Sequence, residues 1–250
     1  MRRWNILFVA LLSVWSCGSV AYTKESEIQE ARRISLHLCE TYIPDRQFEY
    51  FERQGKTRHE ACSGIIEELF PADGREHFVP DGTEKVSRLF GEDVRKNITL
   101  IQKWAEPKGK DTGFVLIVAS LADACLSLAD HDAAATVANG ACILEDQQGL
   151  LPRFVPDLKI VNDIPARRSE LESLFPVGRT SDQMMSDLTS RNFQCREIDN
   201  RQSCRAEAAV IGFHDGKLAA FGGIWWSVIW HANEKKLVDS VKADYGGAGL

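Results

Sequence analysis

The chain has 250 residues, of which 44% are hydrophobic and 26% charged, a composition that supports a buried core and argues against a disordered tail. Its 30 basic and 36 acidic residues leave a net charge of −6, so there is no cationic surplus for phosphate contacts and no nucleic-acid partner is expected. Beyond the N-terminus no apolar run reaches the ~20 residues of a spanning helix, and the sequence predicts no transmembrane span.

Residues 1–21 read as a signal peptide. Arg2 and Arg3 supply the positive start, Asn5–Trp15 is mostly apolar and too short to span, and Ser19 and Ala21 place small residues for cleavage before Tyr22. A buried N-terminal helix is the bland alternative, although the polar, acidic stretch after Tyr22 leaves such a helix little to pack on. In a further reading, Val14-Trp15-Ser16-Cys17 is a lipobox and Cys17 carries a lipid that tethers the protein to a membrane. Cleavage removes two arginines and no acid, taking the net charge to −8. The expected location is therefore the periplasm or the medium, with a membrane-anchored lipoprotein as the alternative.

Loss or modification of Cys17 leaves Cys39, Cys62, Cys125, Cys142, Cys195 and Cys204. An even count in an exported chain predicts up to three disulfides. Six cysteines permit 15 pairings, and only one is predicted: Cys195 with Cys204, across a turn at Asp199-Asn200-Arg201. Closing so short a loop stabilises by about 2.5–3 kcal/mol on the chain-entropy argument. There is no C-x-x-C, and no histidine lies at ligand spacing from a cysteine pair, so no metal is expected.

The chain divides near residue 165. The first part, 24–165, opens with a helix on which Ile28, Ala31, Ile34, Leu38 and Tyr42 share a stripe, ending at Pro44. A short helix carries Phe48 and Phe51, and a third runs from Thr57 to Phe70. Ile98–Trp104 and Phe114–Ser120 are read as strands, with Ala124–Ala129 pairing back. A single buried helix over 114–130 is the other reading of that stretch. His131-Asp132 then opens an alanine-rich helix to about Leu144.

The second part, 169–245, has a helix capped by Thr180 or Ser181 and running to about Arg191. Asp215-Gly216 predicts a two-residue hairpin between Ala206–Phe213 and Lys217–Phe221. Gly222-Gly223 suggests a bulge or bend. Ile224–His231 and Lys236–Tyr245 form a last hairpin around Asn233-Glu234, and residues 246–250 read as a disordered tail. The fold class is α+β: two small domains with helices packed on antiparallel sheets, stapled by disulfides.

Leu174-Phe175-Pro176-Val177-Gly178-Arg179-Thr180, a short helix, Asn192-Phe193-Gln194-Cys195 and a cysteine-bearing hairpin resemble the small outer-membrane assembly lipoproteins of the BamE/SmpA type over about 70 residues. Asn192 stands where a glycine is usual in that family. The resemblance implies helices on a three- or four-stranded antiparallel sheet and a scaffold for other envelope proteins, with no catalytic residues. The first part is similar to uncharacterised bacterial exported proteins with an early helix cysteine and a later strand cysteine.

Motifs for chemistry are absent from the sequence: no G-x-S-x-G, phosphate loop or dinucleotide fingerprint occurs, and no cofactor is expected. His59-Glu60-Ala61-Cys62 is not a zinc helix motif, and Ser63 lacks the first glycine of a nucleophile elbow. His131 and His214 each precede an aspartate, which can orient an imidazole but is also common at helix starts and turn tips. Asn97-Ile98-Thr99 is a glycosylation sequon, relevant only in a eukaryotic secretory pathway. The feature that stands out is Ile224-Trp225-Trp226-Ser227-Val228-Ile229-Trp230. Alternation sends Trp226, Val228 and Trp230 to one face and Trp225, Ser227 and Ile229 to the other. Either the strand is buried on both sides, or one face, best Trp225/Ile229, stays open as a contact patch. Trp225, Trp226, Ile229 and Trp230 are the candidate binding residues. The expected function is a non-catalytic, exported envelope protein that binds another protein. An inhibitor or immunity protein is the alternative, and an unrecognised hydrolase the third.

Overall fold

Thr23, Thr57, Asp130, Asp163 and Thr180 each accept, through a side-chain oxygen, the backbone N–H three residues on, and each starts a helix. Such a cap is worth about 1 kcal/mol. At Thr57 and Thr180 the third residue, Glu60 or Gln183, reaches back to the cap's own N–H and completes a capping box. A computed structural model describes residues 23–79, 86, 90–107, 110–144, 149–198 and 201–249. Residues 1–21, expected to be a signal peptide, with Cys17, the expected turn residues Asp199 and Asn200, and Leu250 lie outside the described residues.

The first part contributes α1 (Lys24–Tyr42), a 3-10 turn (Asp45–Gln47), α2 (Glu49–Glu52), α3 (Arg58–Leu69), α4 (Glu92–Trp104), α5 (Lys110–Leu128) and α6 (His131–Ala138). Two short strands follow, β1 (Ala141–Leu144) and β2 (Phe154–Val155), then α7 (Leu158–Asn162), α8 (Ile164–Leu174) and α9 (Ser181–Ser190). The chain closes with β3 (Gln194–Ile198), β4 (Arg201–His214), β5 (Lys217–Ala232) and β6 (Val238–Ala248). These strands form one antiparallel sheet in the order β2-β1-β4-β5-β6. β1 and β3 share the remaining edge of β4, β1 along Ala209–Gly212 and β3 along Arg201–Arg205.

The sheet has a helical layer on each face. On one, Cys142, Leu144, Ile211 and Phe213 pack with α1, α3, α4 and α5 around Leu38, Phe70, Ile101 and Leu116. On the other, Ile143, Val210, Trp226, Val228, Trp230 and Tyr245 pack with Leu171, Phe175, Met184 and Leu188 of the later helices. All four residues of β1 are buried, because its alternating side chains enter both cores. The α+β class holds, and the two stretches expected as separate domains share this sheet: β1 and β2 come from the first, β3–β6 from the second.

Several expected elements differ. Ile98–Trp104 is the end of helix α4, where Ile98, Ile101 and Trp104 fall three apart on the buried side. Its β-branched run mimics a strand, but the period is helical. Phe114–Ser120 and Ala124–Ala129 belong to the single helix α5, save that Ala129 lies just past its end. Leu116, Val118, Ala119, Ala122, Ala124 and Cys125 are all buried, and a helix buried on much of its circumference loses the amphipathic signature that separates it from a buried strand. Asp111–Leu128 also has the length and hydropathy, 1.6, of a spanning helix, yet half of it is buried inside this fold. α6 stops at Ala138 and Ala141–Leu144 is strand. Between them a side chain on Gly140 would stand 2.0 Å from the Val155 carbonyl oxygen.

The Asp215-Gly216 hairpin forms as expected, both residues at positive φ, 49° and 73°. Gly222-Gly223 makes no bulge; β5 runs straight through it, and the register shifts lie at Gly212/Phe213 and His231/Ala232. Gly246, Gly247 and Ala248, expected in a disordered tail, are instead strand residues paired with Trp225, Ile224 and Gly223. Asn192 ends α9 at φ 59°, the left-handed conformation for which glycine is the usual residue.

Candidate functional site

The alternation of β5 sorts the four candidate residues into two pairs. Trp226 and Trp230 are 2% and 1% exposed and belong to the second core. The Trp226 ring lies 5.8 Å from that of Tyr245, and Trp230 donates through Nε1 to the Ser181 hydroxyl at 3.0 Å. They are structural and are removed from the contact patch. Trp225 and Ile229 point to the opposite face and are half-buried.

On that face the first helical layer reaches as far as Ala209 and Phe221, which pack against its core. Beyond them no described helix covers the sheet. Glu207 stands opposite Trp225, Arg205 opposite Ser227 and Ser203 opposite Ile229 on β4. On β6 the matching positions are Gly246, Asp244 and Lys242. β3 adds Arg196 and the exposed Ile198.

Trp225 sits at the middle of this open half. The Arg205 guanidinium lies 5.1 Å from its ring centroid and is itself held by Glu207 through a 2.9 Å hydrogen bond from Nε. The ring also rests on Gly246, where a Cβ would approach to 2.4 Å. The Cys195–Cys204 disulfide, as the turn cluster predicts, joins directly opposed residues of β3 and β4 and fixes the flank that carries Arg196 and Ile198. A half-exposed tryptophan on a braced sheet offers large contact area with little conformational freedom to lose.

The remaining cysteines pair as Cys39–Cys62, joining α1 to α3, and Cys125–Cys142, joining α5 to β1. All six described cysteines are thus oxidised and none is a nucleophile. His131 and Asp132 lie 3.6 Å apart, as do His214 and Asp215, each pair strongly exposed. Ser63 is inside helix α3, and His59 lies beside Glu40, its Nδ1 2.5 Å from the carboxylate. Asn97, Ile98 and Thr99 of the sequon are helical, with Ile98 buried. Among the described residues no three His, Cys, Asp or Glu side chains gather as metal ligands.

Sequence reasoning missed two clefts. One, of about 270 Å³, lies between α1, α3 and α5 beside Cys39 and is lined by Ile43, Phe48, Ile66 and Leu116 with Asp111 and Gln47. The other, of about 370 Å³, lies between α8 and the sheet and contains Arg167, Glu170 and Arg191 against Leu171 and Trp226. Both join residues distant in sequence, and no local motif announces them. No protein-family model, curated protein or solved structure matches this chain.

Proposed function

We propose that this protein works outside the cytoplasm as a non-catalytic module that binds another protein of the cell envelope, in an assembly or scaffold role, through the open half of its sheet. Trp225 is the observation that carries this reading. Its side chain is half-buried, in contact with the Arg205 guanidinium and with Gly246, on a face that the described helices leave uncovered. Tryptophan and arginine are the residue types that most often dominate binding energy at interfaces. Three disulfides support an oxidising, exported compartment.

The test compares the wild type with Trp225→Ser and Arg205→Ala. Each is expressed in the host with an affinity tag, and co-purifying envelope proteins are identified and quantified per folded molecule. Thermal midpoints are measured in parallel. The reading predicts one partner depleted by both substitutions while the midpoint falls little. A large loss of stability with unchanged capture per folded molecule would reject it.

A further inference from the structure

The sheet face around Trp225 has a pattern that says what kind of partner fits it, and this inference rests on the protein-binding reading above. One cross-strand row runs from Arg196 on β3 through Ser203 on β4 and Ile229 on β5 to Lys242 on β6. Arg196 and Lys242, at its two ends, are exposed, and among the described residues neither has a carboxylate at ion-pair distance. The described acids nearby are already engaged: Glu207 accepts from Arg205, Asp244 accepts from Arg168, and Asp239 lies against His231. A strand spacing of about 4.8 Å sets the two cations about 14 Å apart at the backbone, and an α-helix about 10–12 Å across fits between them. Along β5 the apolar pair Trp225 and Ile229, both half-buried, stand four residues and thus about 13 Å apart, with the small Ser227 between them. The other half of the same face already packs under α1, α3, α4 and α5, so a helix is the element this sheet accepts.

We propose that the uncovered half receives an acidic amphipathic helix of the partner protein. It lies along β5 with an apolar stripe on Trp225 and Ile229, and carries carboxylates on both flanks, facing Arg196 on one side and Lys242 on the other. At about 1.5 Å per residue, apolar positions about eight residues apart on one helix face reach both side chains. Strand addition at the β6 edge is the less fitting mode. Asp244 belongs to the Trp225 face and α8 to the other, so the Arg168–Asp244 ion pair passes around that edge and obstructs it.

The test uses the full protein recovered from its host and labelled with 15N. Its readout is the Trp225 indole N–H resonance, assigned by its loss in Trp225→Ser. Two helical peptides of about 18 residues, about five turns, share one stripe of leucines and differ only in their flanks, glutamate in one and lysine in the other. The acidic peptide should move the Trp225 resonance and bind roughly tenfold more tightly than the basic one. The double variant Arg196→Glu, Lys242→Glu, changed only at exposed positions, should reverse that preference. A proline in the middle of the acidic peptide breaks the helix and should remove most of its affinity. Equal affinity for the two peptides, or a preference that the double variant leaves unchanged, would overturn the proposal. Phosphatidylglycerol vesicles that move the Trp225 resonance where the acidic peptide does not would overturn it in favour of a lipid surface. Failure here is separable from failure of protein binding. A co-purifying protein depleted by Trp225→Ser but retained by the charge-reversed double variant would leave protein binding standing and remove the acidic helix.

Discussion

The Trp225 indole rests on Gly246 of the neighbouring strand so closely that a Cβ there would stand 2.4 Å from ring atom Cζ2. The glycine is thus the seat of the half-buried tryptophan, and Gly246→Ala should push the ring off it. Because Trp225 is half-exposed, the ring can swing outward instead of straining the sheet, and the cost should be near the low end of overpacking, about 1 kcal/mol. The expected readout is a red-shifted tryptophan emission with a small drop in thermal midpoint. Unchanged emission would mean that the ring is not seated there.

The two tryptophans of the opposite face should behave differently. Trp230→Ala leaves a cavity in the second core and takes the donor from the Ser181 hydroxyl, a loss of about 3–5 kcal/mol. Trp226→Ala, against Tyr245, should cost a similar amount. Trp225→Ser should cost clearly less than either. Urea unfolding of the three variants checks the order, and a Trp225→Ser as damaging as Trp230→Ala would place Trp225 in the core.

How much of this could be read from the sequence follows from how local each signal is. The cap at Thr180, the Asp215-Gly216 turn and the Trp225/Trp226 alternation are set by residues within a few positions of one another, and all are legible. Cys195–Cys204 is legible because its partners oppose each other across one turn, whereas Cys125–Cys142 joins a helix to a strand and depends on the tertiary fold. α5 is misread because its apolar residues occupy most of its circumference, leaving no period to detect. The pairing of β1 with Ala209–Gly212 spans more than sixty residues of sequence, so nothing near residue 141 reveals that both halves share a sheet. The Arg167 cleft is invisible for the same reason, since it takes Trp226 from β5 and Arg167 from α8.

The three disulfides should open in a defined order. Cys39, Cys62, Cys125, Cys142 and Cys204 are at most 3% exposed, while Cys195 is half-buried on β3, at the edge of the sheet. A reductant reaches Cys195 first, so Cys195–Cys204 should be reduced under conditions that leave the other two intact. Its loss should also be the mildest: sequence separations of 9, 17 and 23 residues correspond to about 2.6, 3.1 and 3.4 kcal/mol of unfolded-state constraint. Partial reduction, alkylation and peptide mapping test the order. Early alkylation of Cys125 or Cys142 would contradict the burial of the α5–β1 staple.

Stability should fall steeply in alkali, and two tyrosines account for it. Burial pushes the Tyr245 hydroxyl up to about 12, and that hydroxyl donates to the Val161 carbonyl at 2.7 Å. Burial, reinforced by the Asp123 carboxylate that accepts from it at 2.6 Å, raises Tyr42 as well. In the unfolded chain both titrate near about 10. The folded state therefore keeps protons that the unfolded state gives up, so the stabilisation is complete below about pH 10 and is lost as pH rises through the folded values. Tyr245→Phe and Tyr42→Phe should each lower stability at neutral pH by about 1 kcal/mol through the missing hydrogen bond. Each should also flatten the alkaline decline, because phenylalanine has no proton to lose. Urea midpoints at about pH 8 and about pH 11, on either side of the unfolded tyrosine value, measure both effects. A decline as steep in the double variant as in the wild type would assign alkaline unfolding to other groups.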